Sequence, residues 1–122
     1  MLIEGLYTTE NFEKEDQTVN ATVKLNAAHK VFKGHFPGNP VMPGVCMIQI
    51  IKELTQQATG KTLFLSVANN VKFMAIINPE KNNIIQLTLN ITEENSVVKV
   101  KNTTTFDETL ALKLSATFNV LN

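Results

Sequence analysis

Disulfides are absent by arithmetic: the 122-residue chain has a single cysteine, so no internal bridge can form, and a reducing compartment such as the cytoplasm suits it. One cysteine with two histidines is also a poor set of soft metal ligands, which argues against a structural zinc site and leaves no cofactor implied. Charge of one sign is missing too. Eleven basic residues balance eleven acidic ones, so no global field draws the chain to nucleic acid or to an anionic membrane. No run of about 20 apolar residues exists to span a bilayer. The opening Met1-Leu2-Ile3-Glu4-Gly5 lacks the basic-then-apolar order of a signal peptide. Linkers, repeats and low-complexity segments are also missing, so the chain reads as one domain over residues 1–122, long enough to bury a core without staples.

What the chain does have is concentrated in one stretch. Gly34-His35-Phe36-Pro37-Gly38-Asn39-Pro40-Val41-Met42-Pro43-Gly44-Val45 holds three of the four prolines, three of the five glycines and one of the two histidines. Proline locks φ and glycine opens angles that other residues avoid, so the path here is heavily specified. Such a loop holding a histidine just before a helix reads either as an ordinary tight connection or as a place for chemistry. The density of constraints around His35 favours the second.

The helix is expected to start near Pro43 and to end near Gly60. Met47, Ile48, Ile51, Leu54 and Ala58 follow the three-four spacing and form a broad apolar face, while Val45 and Ile50 extend it and predict burial nearly all round the first half. Gln49, Glu53 and Gln56 or Gln57 run along another side. Strand patterns surround this helix. Residues 2–7 form a short expected strand. Val19, Ala21, Val23 and Leu25 alternate with polar residues, as do Ile85 to Ile91 and Leu110 to Val120. Thr62 to Ile77 reads as one long bent strand or two, with Asn69-Asn70 as the break, and Ala27 to Phe32 as a connector. One buried helix and successive antiparallel strands make an α+β pattern in which the sheet curls around the helix.

With Pro43 as the first helical residue, the capping position falls on Met42, which has no side-chain oxygen. The first free amide is then that of Gly44, followed by Val45 and Cys46. These donors carry the positive end of the helix dipole, and Gly44 has no side chain to block approach, which describes an oxyanion site for a carbonyl. A neutral His35 nearby has the chemistry of a base. Cys46 reads as a core residue rather than a nucleophile, His29 as a packing residue, and Asn39 and Asn69 as turn residues.

The loop resembles the signature of the hotdog-fold 3-hydroxyacyl-acyl-carrier-protein dehydratases: Gly34-His35-Phe36-Pro37-Gly38-x-Pro40-x-Met42-Pro43-Gly44-Val45, without a gap. Weaker likeness continues through Val71-Lys72-Phe73 and Asn78-Pro79 to the last strands. The resemblance implies a long helix wrapped by a curved antiparallel sheet, and a homodimer with acyl tunnels at the interface. It implies His35 as the catalytic histidine and the Gly44 N–H as the ligand of the thioester carbonyl, with Val45, Phe36 and Phe73 lining the substrate site. An acyl carrier protein or coenzyme A thioester is the implied partner, with Lys33, Lys72 and Lys30 as candidate contacts. One departure stands out. The family has an acidic residue fourteen positions after the histidine, where this chain has Gln49. The next turn, where a glutamine is usual, carries Glu53. Glu53 is then either the displaced acid or a surface carboxylate paired with a lysine such as Lys52. Three activities stay open: dehydration of a 3-hydroxyacyl thioester, thioester hydrolysis on the same scaffold, and acyl-thioester or lipid binding without catalysis.

Overall fold

A computed structural model describes residues 4–32 and 40–121 of the chain. The expected roles of Lys33, His35, Phe36 and Asn39 fall outside those residues. Six strands and one helix follow in order: β1 (Tyr7–Glu15), β2 (Thr18–Leu25), α1 (Gly44–Thr59), β3 (Leu63–Phe73), β4 (Ile84–Glu94), β5 (Val97–Phe106) and β6 (Thr109–Val120), with a 3₁₀ turn at Lys30–Phe32. The strands form a single antiparallel sheet in the order β1-β2-β4-β5-β6-β3. This is the hotdog arrangement, with α1 as the filling.

Alternation decides which face of each strand meets the helix. Val19, Ala21, Val23 and Leu25 of β2, Ile85, Leu87, Leu89 and Ile91 of β4, and Leu112, Leu114, Ala116 and Phe118 of β6 are all buried. Against them α1 buries Cys46, Met47, Ile50, Ile51, Leu54 and Thr55. The opposite face of the sheet is mostly Thr, Asn, Gln, Ser, Lys and Glu, with a few exposed apolar residues such as Phe64 and Val67, so hydrophobic burial holds helix and sheet together from one side only. Within the core the polar side chains are satisfied: Thr104 Oγ1 donates to Asn102 Oδ1 at 3.0 Å, and Thr55 Oγ1 donates to the Ile51 carbonyl at 2.7 Å.

Three expectations change. Among the described residues the first strand is Tyr7–Glu15, and Glu4 to Leu6, part of the strand expected over 2–7, form a turn; the sequence YTTENFEKE alternates poorly because β1 is an edge strand with little apolar content to bury. Val45 is 74% exposed in the protomer, whereas Ile50 is fully buried, so only part of the first helical half faces the core. The helix begins one residue later than expected. Pro43 has an extended backbone, φ −66° and ψ 146°, which makes it the capping residue and Gly44 the first residue of the helix. The other end behaves as expected: Gly60, at φ 70°, closes the helix and returns its N–H to the Gln56 carbonyl at 2.8 Å.

β3 is one strand rather than two. Asn70 adopts φ 52° inside it, and the pairing with β6 shifts between Asn69 and Lys72, so the suspected break is a bulge. The β4–β5 and β5–β6 hairpins turn at Asn95-Ser96 and Asp107-Glu108, with positive φ at all four residues, as two-residue turns matching the strand twist require.

Candidate active site

Everything placed at the start of α1 follows from its missing cap. Pro43 has no side-chain hydrogen bond to offer the first turn. Its carbonyl accepts from Cys46 N–H at 3.1 Å and from Met47 N–H at 3.2 Å, so the Cys46 amide is satisfied, contrary to the expectation from sequence. Among the described residues the amides of Gly44 and Val45 have no acceptor. Met42, just before, is buried and anchored by its N–H to the Ile77 carbonyl at 2.8 Å, which ties the helix entry to the segment after β3.

Gly44 faces the ring of Phe73. A methyl group added at Gly44 would stand 3.4 Å from Phe73 Cε2, so only glycine leaves open space between helix and ring. Around them Val41, Met42, Pro43, Met74, Ala75, Ile76 and Ile77 complete a cavity of about 440 Å³, mostly apolar. An apolar recess bordered by Gly44 and its N–H suits an acyl chain whose carbonyl oxygen needs a donor.

Gln49 and Glu53 form a second group on another flank of the helix. Gln49 Nε2 donates to Glu53 Oε2 at 2.8 Å, and Tyr7 Oη on β1 donates to Glu53 Oε1 at 2.6 Å. All three are partly buried. The amide must turn its nitrogen to the carboxylate, because its oxygen would repel it; the Gln49 carbonyl oxygen therefore points elsewhere as an acceptor. The lysine-paired alternative for Glu53 is not what the structure has: among the described residues the ion pair is Lys61–Glu93, at 2.7 Å. Sequence reasoning missed Tyr7, since nothing local marks a contact 46 residues away.

Helical geometry separates the two groups within one protomer. Five residues from Gly44 to Gln49 turn about 140°, and nine residues to Glu53 turn about 180° and advance roughly 13 Å. The first group faces β3 and the second faces β1, at opposite edges of the sheet.

Of the remaining candidates, His29 and Cys46 are structural. His29 Nδ1 accepts the Val31 N–H at 3.0 Å, so Nε2 carries the proton and donates to the Glu4 carbonyl at 2.9 Å; neither nitrogen is left for base chemistry. Cys46 is buried, and burial pushes its thiol up, away from the nucleophilic thiolate. Lys72 lies exposed on the outer face of β3.

Tyr7 is pushed well above the ordinary phenol range, first by burial, then by the hydrogen bond to Glu53 and its charge. The folded state therefore keeps this proton more tightly than the unfolded chain. Its stabilising contribution is complete below the unfolded value of about 10 and is lost as pH rises beyond that towards the folded value. As the chain has one tyrosine and no tryptophan, near-ultraviolet phenolate absorbance reads Tyr7 alone. Ionisation is expected to be delayed in the folded protein relative to the urea-unfolded chain, and Tyr7→Phe is expected to remove this part of the alkaline loss of stability. A titration identical in both states would show that Tyr7 does not bond Glu53 in solution.

A sequence profile of the ApeI-like family, the ApeI dehydratases, matches residues 11–112. The chain belongs to that family. Relatives named 3-hydroxyacyl-[acyl-carrier-protein] dehydratase FabZ are similar at lower identity. The one from Levilactobacillus brevis is 29% identical over 112 residues, covering 85% of this chain and 74% of that protein. The one from Pediococcus pentosaceus is 36% identical over 70 residues, covering 52% of this chain and 47%, about half, of that protein. Among solved structures, the dehydratase heterocomplex ApeI:P from Xenorhabdus doucetiae superposes with a TM-score of 0.76 at 22% identity, covering 92% of this chain and 96% of the other. The smu.793 protein from Streptococcus mutans, bound to acetyl CoA, gives 0.68 at 13% identity over 100% and 94% of the two chains. These structural likenesses establish the fold, and the family match makes the chain an ApeI-like, dehydratase-type hotdog protein.

Proposed function

We propose that this ApeI-like chain is a 3-hydroxyacyl-thioester dehydratase acting as a homodimer. The observation that carries the reading is the uncapped start of α1, where Gly44, its amide without an acceptor among the described residues, borders an apolar cavity beside Phe73. In the proposed reaction the Gly44 N–H polarises the thioester carbonyl, acidifying the α-carbon, and His35 removes the α-proton. The β-hydroxyl leaves as water with a proton given by Glu53 in its carboxylic acid form, which regains it through solvent from His35, while Gln49 and Tyr7 hold that side chain in place.

The homodimer reading rests on two features. β3 is a free sheet edge whose outer face bears Phe64 and Val67, both exposed, and Phe73 and Ile76 add exposed apolar surface at its end. The Gly44 and Glu53 groups also lie on opposite flanks of one helix, and a two-fold arrangement reconciles them by letting each protomer complete the other's site.

Purified protein is tested with 3-hydroxyacyl, trans-2-enoyl and saturated acyl thioesters. Interconversion of the first two without hydrolysis of the third is expected. Release of free thiol from the saturated thioester would make it a thioesterase, and saturable binding without turnover of any of them would make it an acyl-thioester binding module.

A further inference from the structure

The outer face of the sheet carries a charge arrangement that the proposed reaction does not use. Lys72 on β3 pairs directly opposite Lys113 on β6. Lys113 in turn stands opposite Thr103 on β5, and Lys101, two residues along the same face of β5, lies diagonal to it. Like charges opposed on neighbouring strands destabilise a sheet, and diagonal neighbours are still within reach of long side chains. The partners of these lysines on the adjoining strands are Ser115, Asn90 and Thr103, none of them acidic. Among the described residues no carboxylate bonds any of the three. Since the whole chain is neutral, eleven positive against eleven negative, this local excess is a feature of placement rather than of composition.

The three lysines also share a concavity. A cavity of about 540 Å³ is lined by Lys72, Lys101 and Lys113 together with Asn90, Ser115 and Met74. Met74 also lines the cavity at Gly44. Lysines serving only for solubility have no need to be opposed in pairs or to converge on a recess. Ammonium groups are compact point charges, and together with neutral hydroxyl and amide donors they suit a phosphate.

We propose that the Lys72–Lys101–Lys113 cavity binds the phosphate of the pantetheine arm that delivers the thioester, the arm crossing Met74 to place its carbonyl at Gly44. This rests on the acyl-thioester reading of the Gly44 cavity and names the group that anchors the other end of the substrate. The phosphate is available from two sources, coenzyme A and the phosphopantetheine of a carrier protein.

Calorimetric titrations of the intact protein with coenzyme A, phosphate-free pantetheine, and a carrier protein in its holo and apo forms separate the possibilities. Expected is binding of coenzyme A or of holo carrier, weakened tenfold or more in Lys101→Ala/Lys113→Ala and by added salt. Pantetheine binding is expected to be indifferent to the substitution. Which of the two phosphate-bearing ligands shows the loss identifies the source. Thermal unfolding of the variant is expected to be unchanged or raised, because removing opposed charges relieves repulsion. Unaltered coenzyme A and holo-carrier affinity in the variant, no binding of either by the wild type, or equal losses for holo and apo carrier would overturn the phosphate site. The titrations need no turnover: a protein that binds as described but dehydrates nothing keeps the site and loses the dehydratase reading, and an active dehydratase with unaltered binding does the reverse.

Discussion

Glu53→Gln is expected to lower dehydration by about 10²–10⁴-fold, the usual cost of removing a group that transfers a proton in the transition state. Packing gives little reason for the variant to misfold. The new amide keeps the volume of the side chain, its oxygen can still accept from Tyr7, and its neighbour at Gln49 can bond amide to amide. A rate loss at unchanged thermal stability therefore isolates the chemistry. Gln49→Glu is the informative reverse. It replaces the amide donor at 2.8 Å from Glu53 with a second carboxyl, one turn away on the same flank. Two carboxylates that close cannot both ionise freely, so one proton is retained between them and becomes available to the leaving hydroxyl. Dehydration is expected to be maintained or raised. His35→Ala is expected to abolish turnover in either background. Full activity in Glu53→Gln would remove Glu53 from the reaction, and full activity in His35→Ala would remove the loop.

How far the fold was legible depended on whether a segment's contacts were periodic. β2, β4 and β6 each bury one face against α1, and their alternation says so without any knowledge of the partner. β1 has only Phe12 and Tyr7 as large apolar side chains over nine residues, and pairs on one side, so no period of two was there to read. The helix spacing correctly places Gln49 and Glu53 in contact. Their separation from Gly44 depends on which sheet edge each flank meets, and that follows from the non-local order β1-β2-β4-β5-β6-β3. Val45 shows a different limit. An apolar residue at the first helical turn reads as core by its type, yet its exposure of 74% places it at the surface of the protomer. Hydrophobicity reports a preference for burial and says nothing about which chain does the burying. The same holds for the helix entry, where proline composition marked the start but its extended ψ of 146° moved the first helical residue to Gly44.

The exposed apolar edge supplies the other large effect. Phe64 and Val67 are 57% and 45% exposed on the outer face of β3, which Asn69 and Lys72 share. Val67 lies near the midpoint of β3, so pairing that strand with its own copy about a two-fold axis brings the two Val67 side chains close together. Val67→Asp then acts twice in one interface. Each protomer loses the burial of a valine, about 1.5–3 kcal/mol, and the pair of losses corresponds to roughly 10²–10⁴-fold in the dimerisation constant before any repulsion between the two new carboxylates. Since Val67 faces outward from the protomer core, the folded monomer is expected to survive. Sedimentation is expected to show wild-type dimers and variant monomers at micromolar concentration. Activity is expected to fall in parallel and to recover as protein concentration rises, because in the proposed dimer each site takes the partner's Glu53 flank opposite its own Gly44. A variant that stays dimeric would place the interface elsewhere than β3. A monomer with undiminished activity would show instead that one protomer holds a complete site, and the proposed sharing of Gly44 and Glu53 between two copies would fall.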